Sequence, residues 1–335
     1  MLKVKTGFLV IISIVLLLAA GCSGTQNESG NRAQGNDVKK ISIASAGTGG
    51  TFYYIGAAAA EVITKHAENI EATVEATDGG AHNVRLVTDG SSDVGMGTLD
   101  SVYFAYIGDT NNLYDKSYTN LRALGAGHDT YSVFITLPRT GLKKLSDLKG
   151  SGKSISMGPA GTSAEPEIRA VLEAHGIDLD KDVKLQFLSF NEQIDALRDG
   201  SLDVARIGGG IPTAAIADLT STTEVVFLSP EKEILEQVQQ KQPYYTYGII
   251  PAGTYKGQTE DYFSPTQKAV FFADQSMPDE MAYQIVKAIY DHTDELAAIH
   301  PAGAEWNLEN ALKGIEIPVH DGAIKYYKEK GIWKD

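Results

Sequence analysis

The chain has one cysteine, Cys22, so no disulfide can form within it. It has no excess of positive charge: 29 Lys and Arg stand against 43 Asp and Glu, a formal net charge of −14. Nucleic-acid binding draws on clustered Lys and Arg that displace counterions, so a nucleic-acid partner is excluded. The familiar catalytic spacings are missing as well. There is no GxSxG elbow, and no nucleophile stands beside a base. The seven histidines show no HExxH-type spacing, so neither a metal nor a cofactor is expected. Gly152-Lys153-Ser154 fails as a phosphate loop, because Asp147 occupies the place of its first glycine and the segment leads into a strand. Gly47-Thr48-Gly49-Gly50-Thr51-Phe52 fails as a dinucleotide fingerprint, because Phe52 replaces the third glycine. What is left is a non-enzymatic chain with 43% hydrophobic and 21% charged residues, a globular composition. Its 335 residues are enough for two domains.

The first segment has the layout of an export signal. Lys3 and Lys5 precede the apolar run Gly7–Ala20, which is short for a membrane span. It ends in Leu18-Ala19-Ala20-Gly21-Cys22, close to a bacterial lipobox, with Leu18 four residues before the cysteine and Ala19 in the usual place of the leucine. Two readings stand. Cys22 carries a lipid that anchors an extracytoplasmic protein to the membrane, or it is an incidental cysteine in an ordinary signal or anchor. The small-residue site, its position and the linker after it favour lipidation. Residues 1–21 are then a signal peptide, and residues 22–37, polar and without apolar periodicity, a flexible tether.

The stretch that organises the rest is Ile41–Glu61, ISIASAGTGGTFYYIGAAAAE. It reads as an apolar strand, a Gly/Thr loop and a helix that Thr48 or Thr51 can cap. Such a turn points free N–H groups and a positive dipole end outward, suited to a carboxylate or phosphate. The pattern recurs in Ile155–Glu165, ISMGPAGTSAE. A second echo follows each copy: Asp89-Gly90-Ser91-Ser92-Asp93-Val94 is answered by Asp199-Gly200-Ser201-Leu202-Asp203-Val204. A repeat of this length predicts two similar α/β lobes, each with one anion-binding turn at the carboxyl end of a strand, facing one another across a ligand cleft.

The same reading places strands at Val38–Ala44, Glu71–Thr77, Asp93–Gly97, Ser154–Met157, Val183–Leu188, Val204–Ile207 and Lys268–Phe272. Helices are expected at Gly50–His66, Ala81–Asp89, Leu99–Tyr106, Pro166–His175, Asn191–Asp199 and Asp321–Lys330, with one long helix over Pro278–Ile299. Residues 38–130 and 247–335 form lobe one, and 131–246 lobe two. The chain crosses between them twice, near His128–Tyr131 and near Tyr244–Ile250, which makes a two-segment hinge.

Single residues add chemistry. Arg206 interrupts an apolar strand just before a glycine loop and needs a partner there, either a ligand carboxylate or a nearby Asp. Tyr53 lies one turn into the first turn's helix, where it either closes over a ligand or packs half-buried. Thr162 and Ser163 both suit a helix cap facing the cleft.

Six segments together resemble the TAXI family, the extracytoplasmic solute receptors of one class of tripartite ATP-independent periplasmic (TRAP) transporters. They are GTGGTFYYIG (47–56), DGGAHNVRLVTDGSSDVGMG (78–97), DLKGSGKSISMGPAGTSAE (147–165), LSFNEQIDALRDGSLDVARIGGGIPTAAI (188–216), PYYTYGIIPAGTY (243–255) and PVHDGAIKYYKEKG (318–331). The resemblance covers nearly all of the chain after residue 37. It implies a periplasmic-binding-protein type II-like α/β fold that closes on a small organic anion, often glutamate, glutamine or a dicarboxylate. It further implies delivery to a TRAP permease driven by a sodium or proton gradient. Carried over by position, it implies ligand contacts from Gly49, Thr51, Tyr53, Asn83, Gly161, Thr162 and Ser163, and from Gly209, Gly210 and Pro212. Arg206 departs from the small or aromatic residue of the family pattern, and is a further candidate ligand contact. The other readings are a receptor for an ATP-driven importer, an exported enzyme acting on a small anion, and a surface adhesin with no solute.

Overall fold

The computed structural model describes residues 38–109, 114–159, 164–241 and 245–334. Cys22, the signal segment and the tether lie outside the described residues, as do Gly161, Thr162, Ser163 and Tyr244. Among the described residues, no helix is long and apolar enough to cross a membrane.

The elements in the first part are β1 (Lys39–Ala44), α1 (Thr51–His66), β2 (Ile70–Glu75), α2 (Gly80–Thr88), β3 (Val94–Thr98), α3 (Leu99–Ile107) and β4 (Leu121–Thr136). Next come β5 (Lys153–Ser156), α4 (Glu165–Ala174), β6 (Val183–Gln186), α5 (Phe190–Asp199), β7 (Val204–Gly209), α6 (Ala214–Thr222), β8 (Val226–Phe227), α7 (Lys232–Lys241) and β9 (Thr246–Ile250). The chain ends with β10 (Tyr262–Asp274), α8 (Asp279–Asp291), α9 (Thr293–Ile299) and α10 (Asp321–Glu329).

The strands form a sheet in the order β2-β1-β3-β10-β4-β7-β5-β6, with β8 on β4 and β9 on β10. The order is nearly a palindrome. β1 lies between β2 and β3, parallel to both, as β5 lies between β6 and β7. The long strands β4 and β10 run antiparallel at the centre.

Alternation along these strands feeds four apolar clusters, two on each half of the sheet. In β10, Ala269, Phe271 and Ala273 face the cluster under α1, α8 and α10, while Val270 and Phe272 face α2 and α3. In the far half of β4, Phe134 faces α4 and α7, while Val133 and Ile135 face α5 and α6. Each half is therefore a three-layer α/β/α sandwich with its own core.

The repeated DGSxDV segment has a local physical role. The first Asp accepts the N–H two residues on, Asp89 from Ser91 at 2.9 Å and Asp199 from Ser201 at 2.8 Å. Between them Gly90 and Gly200 take the left-handed conformation, φ 79° and 90°, that glycine adopts without strain. The last Asp reaches the neighbouring strand: Asp93 accepts Ser42 N–H at 2.8 Å, and Asp203 accepts Ser154 N–H at 2.9 Å.

Three expectations differ from what is found. The return crossing is not at Tyr244–Ile250. β9 pairs with Tyr262–Thr266 of β10, and Ile250 packs in the cluster of α5 and α6, so residues up to about Pro265 sit with the second half. The strand that returns is β10 itself, whose register against β4 shifts between Lys268 and Val270. The helix expected over Pro278–Ile299 breaks at His292, because Thr293-Asp294-Glu295 is itself a helix start, with acids at the positive end of α9. Finally, neither Thr48 nor Thr51 caps α1. Its N-cap is Gly50, and the Thr51 hydroxyl is used elsewhere.

Candidate functional site

A cavity of about 160 Å³ lies between the two halves of the sheet, beyond the carboxyl ends of β1 and β7. The start of α1 contributes Gly50, Thr51 and Phe52, and the start of α2 contributes Asp78, Gly79 and Gly80. Ser189 and Phe190 at the start of α5 close the opposite wall, with Arg206, Gly208 and Gly209 of β7. The Gly50 N–H turns back onto Gly47 O at 2.9 Å. The N–H groups of Thr51, Phe52 and Gly80 find no partner among the described residues, so two helix starts present uncompensated donors to the cavity. α5 differs in being capped: Ser189 Oγ accepts the Glu192 N–H, and the Glu192 carboxylate accepts the Ser189 N–H.

Arg206 is set by the pairing of β7 with β4. Arg206 lies opposite Phe134 and Gly208 opposite Ser132, so all four share one face. The side chain folds back over Gly208, where a Cβ would stand 2.7 Å from Nη1. Only glycine leaves room for the guanidinium there. Arg206 Nε donates to Ser132 Oγ at 3.2 Å, and Nη2 lies 3.9 Å from Glu167 Oε2. Nη1 has no acceptor among the described residues, although Arg206 is only 5% exposed and lines the cavity. A buried guanidinium with a free edge is a strong donor site for an oxyanion.

Behind Arg206 lie two buried carboxyls. Burial pushes Glu167 up to about 7, opposed by the Arg206 guanidinium and reinforced by Asp100. Burial pushes Asp100 up to about 6. Ser132 Oγ donates to Glu167 Oε2 (3.0 Å), and Glu167 Oε1 makes no hydrogen bond of normal geometry, with the Gln267 amide beside it. Arg206 is lowered by the same burial, so desolvation outweighs the attraction of the pair. The array holds one cation and two acids that burial holds toward their neutral forms.

The cleft is held shut by direct bonds between its walls. Thr51 Oγ1 donates to Gly210 O at 3.0 Å. His300 Nδ1 accepts from Ala302 N–H, which leaves Nε2 to donate to Pro212 O at 3.1 Å. A larger recess, about 470 Å³, opens beside β9 and α3. Its lysines are already paired, Lys268 with Asp129 at 2.9 Å and Lys313 with Glu309 at 2.8 Å, so it offers no free cation to an anionic guest.

Of the residues expected at the site, Thr51, Arg206 and Gly209 line the cavity together. Gly210 and Pro212 lie just beyond it, where their carbonyls receive the two bonds across the cleft. Gly49 lies in a separate recess with Asn191 and Tyr54. Tyr53 is half-buried, edge-on to Tyr54, and does not line the cavity. Asn83 is fully buried and spent internally: its amide donates to Ser45 O and Met96 O and accepts from Thr77. Gly161, Thr162 and Ser163 lie outside the described residues, between Pro159 and Ala164, which do line the cavity. Sequence reading missed Glu167, Asp100 and Ser132. Both acids stand in the first turn of a helix, where an acid ordinarily answers the dipole. Ser132 was legible as the polar residue inside the apolar run YSVFIT.

The fold is that of the type II periplasmic binding proteins. A substrate-binding protein of an ABC uptake transporter from Streptococcus pneumoniae, solved with bound histidine, is similar at TM-score 0.51 and 13% identity, over 83% of this chain and 96% of that one. A binding-protein component of an ABC phosphonate transporter from Pseudomonas aeruginosa is similar at TM-score 0.51 and 12% identity, over 81% and 80%. Residues 43–331, almost everything after the leading segment, match the NMT1-like family, and the chain belongs to that family.

Proposed function

We propose that the chain is an extracytoplasmic solute receptor that captures a small organic anion in the cavity and hands it to a membrane permease. The ligand class is glutamate, glutamine or a dicarboxylate. The observation that carries this reading is Arg206, a buried guanidinium with a free Nη1 on one wall, facing two uncapped helix starts on the other. A carboxylate there gains charge-assisted bonds from both halves at once, so ligand and closure stabilise each other. Thr51, Arg206 and Gly209 are its proposed contacts. Gly161, Thr162 and Ser163 join them on the strength of the sequence repeat. Nothing in the array sets a nucleophile or a general base against a reacting atom, which favours binding over turnover.

Two delivery partners have support. The six TAXI-like segments favour a TRAP permease. The ABC-transporter receptors that share the fold favour an ATP-driven importer equally well. On either reading, Cys22 supplies a lipid anchor. Calorimetric titration of the protein with glutamate, glutamine, succinate and a phosphonate tests the ligand class. Binding of one of the first three, weakened more than about a hundredfold (about 2.7 kcal/mol) in Arg206→Gln, is the expected result. Equal affinity in that variant overturns the proposed site.

A further inference from the structure

Away from the cleft, three side chains from α1, α9 and the α8–α9 break converge at the far end of α1. His66 is the last residue of α1, His292 is the break between α8 and α9, and Glu295 lies in the first turn of α9. His66 Nε2 is 2.7 Å from Glu295 Oε1, and His292 Nδ1 is 3.7 Å from the same oxygen. One ligand atom from each lies within 4.8 Å of the other two, which no other group of His, Cys, Asp and Glu achieves among the described residues. We propose that this cluster binds a borderline divalent transition metal of the zinc class, with water completing the coordination.

The geometry fits with small movement. Bonds of about 2.0–2.1 Å in a tetrahedral array set donor atoms about 3.3 Å apart, between the two separations found here. Two imidazoles and one carboxylate suit zinc and its neighbours, whereas magnesium and calcium take oxygen ligands. The outer oxygen of Glu295 is already fixed, since Lys65 Nζ holds Oε2 at 2.8 Å and leaves Oε1 to ligate. Glu61 and Asp294 lie near Lys65 and offset its charge. The side chains are 23%, 32% and 28% exposed for His66, His292 and Glu295, so a solvated ion can enter. The imidazole rings are stacked 3.5 Å apart and 10° from parallel, so one ring turns to aim both lone pairs at a shared ion. The ion replaces the proton between His66 and Glu295 and ties the end of α1 to the α8–α9 pair.

The test uses the whole chain without a histidine tag, stripped with chelator and titrated with Zn(II), with Mg(II) as control. The expected result is one saturable equivalent of zinc per chain and a raised melting temperature, neither given by magnesium. Affinity falls more than about tenfold in His292→Ala and in His66→Gln, each first shown to melt cooperatively in chelator. Nitrogen hyperfine lines from two imidazoles in the Cu(II) spectrum, reduced to one in either variant, are expected too. No zinc-dependent shift in the parent protein, or the same affinity in both variants, overturns the site, and in the second case other histidines hold the metal.

Discussion

Replacing Glu167 with glutamine separates the burial of its charge from everything else in the molecule. Glutamine keeps the shape and the contact with Ser132 but cannot ionise. In the fold, burial lifts the Glu167 carboxyl from an ordinary 4.5 to about 7. That displacement corresponds to about 3 kcal/mol of preference for the neutral form. The folded value lies above the unfolded one. Glu167 therefore contributes its full stability below pH 4.5 and loses it as pH rises through 7. His128, which burial lowers to about 3, has the opposite sign, so the profile of the parent protein mixes both trends. The difference between parent and Glu167→Gln isolates one group. Chemical denaturation of both proteins should give nearly equal stabilities near pH 4.5, with the variant about 3 kcal/mol more stable by about pH 8. A difference that stays constant with pH would refute the reasoning, because it would mean that Arg206 holds Glu167 ionised throughout.

Thr51→Val removes one bond across the cleft. Gly210 O still accepts from Thr213, so the loss is about 1 kcal/mol, read as a larger radius of gyration of the ligand-free protein in small-angle scattering. Unchanged scattering argues against this bond as a latch. Gly208→Ala places a methyl group against the guanidinium, which moves aside, since it is the free end of a flexible side chain. Calorimetry should show anion affinity down by about tenfold (about 1.4 kcal/mol) with little change in melting temperature. Equal affinity would remove Arg206 from the contact. Asp93→Ala and Asp203→Ala each take a carboxylate from a strand N–H, and each should lower unfolding free energy by about 1–3 kcal/mol in urea titration. Asp203 also holds Lys153 Nζ at 3.1 Å and Ser154 Oγ at 3.1 Å, so its replacement should cost the more, and no loss in either variant would refute the role of the segment.

Most strands and helices were legible because their periodicity is strong and their ends carry glycine or Asx chemistry. The duplication was legible because both DGSxDV copies keep the turn residues that each lobe needs. The long strands were read short. β10 looked like Lys268–Phe272 alone because Tyr262–Gln267 carries Pro265 and three polar residues, Ser264, Thr266 and Gln267, which are buried without any apolar pattern to mark them. The break at His292 was hidden by an apolar stripe that continues across it. Arg206 stood out in its apolar run, but its setting depended on β7 lying beside β4, a pairing between residues far apart in sequence. The array behind it could not be seen for the same reason: Glu167, Asp100 and Ser132 come from three elements, and no local pattern joins them.

The ladder between β4 and β10 sets Gln267 directly opposite Thr130 and Thr266 opposite Tyr131. The whole second lobe thus leaves and rejoins the first at one rung. In architectural terms the molecule is a single hairpin whose turn has been replaced by another lobe. Splicing a short reverse turn between Thr130 and Gln267 would seal the first lobe as a miniature in its own right. The excised partner, open on that same rung, would have its two ends side by side.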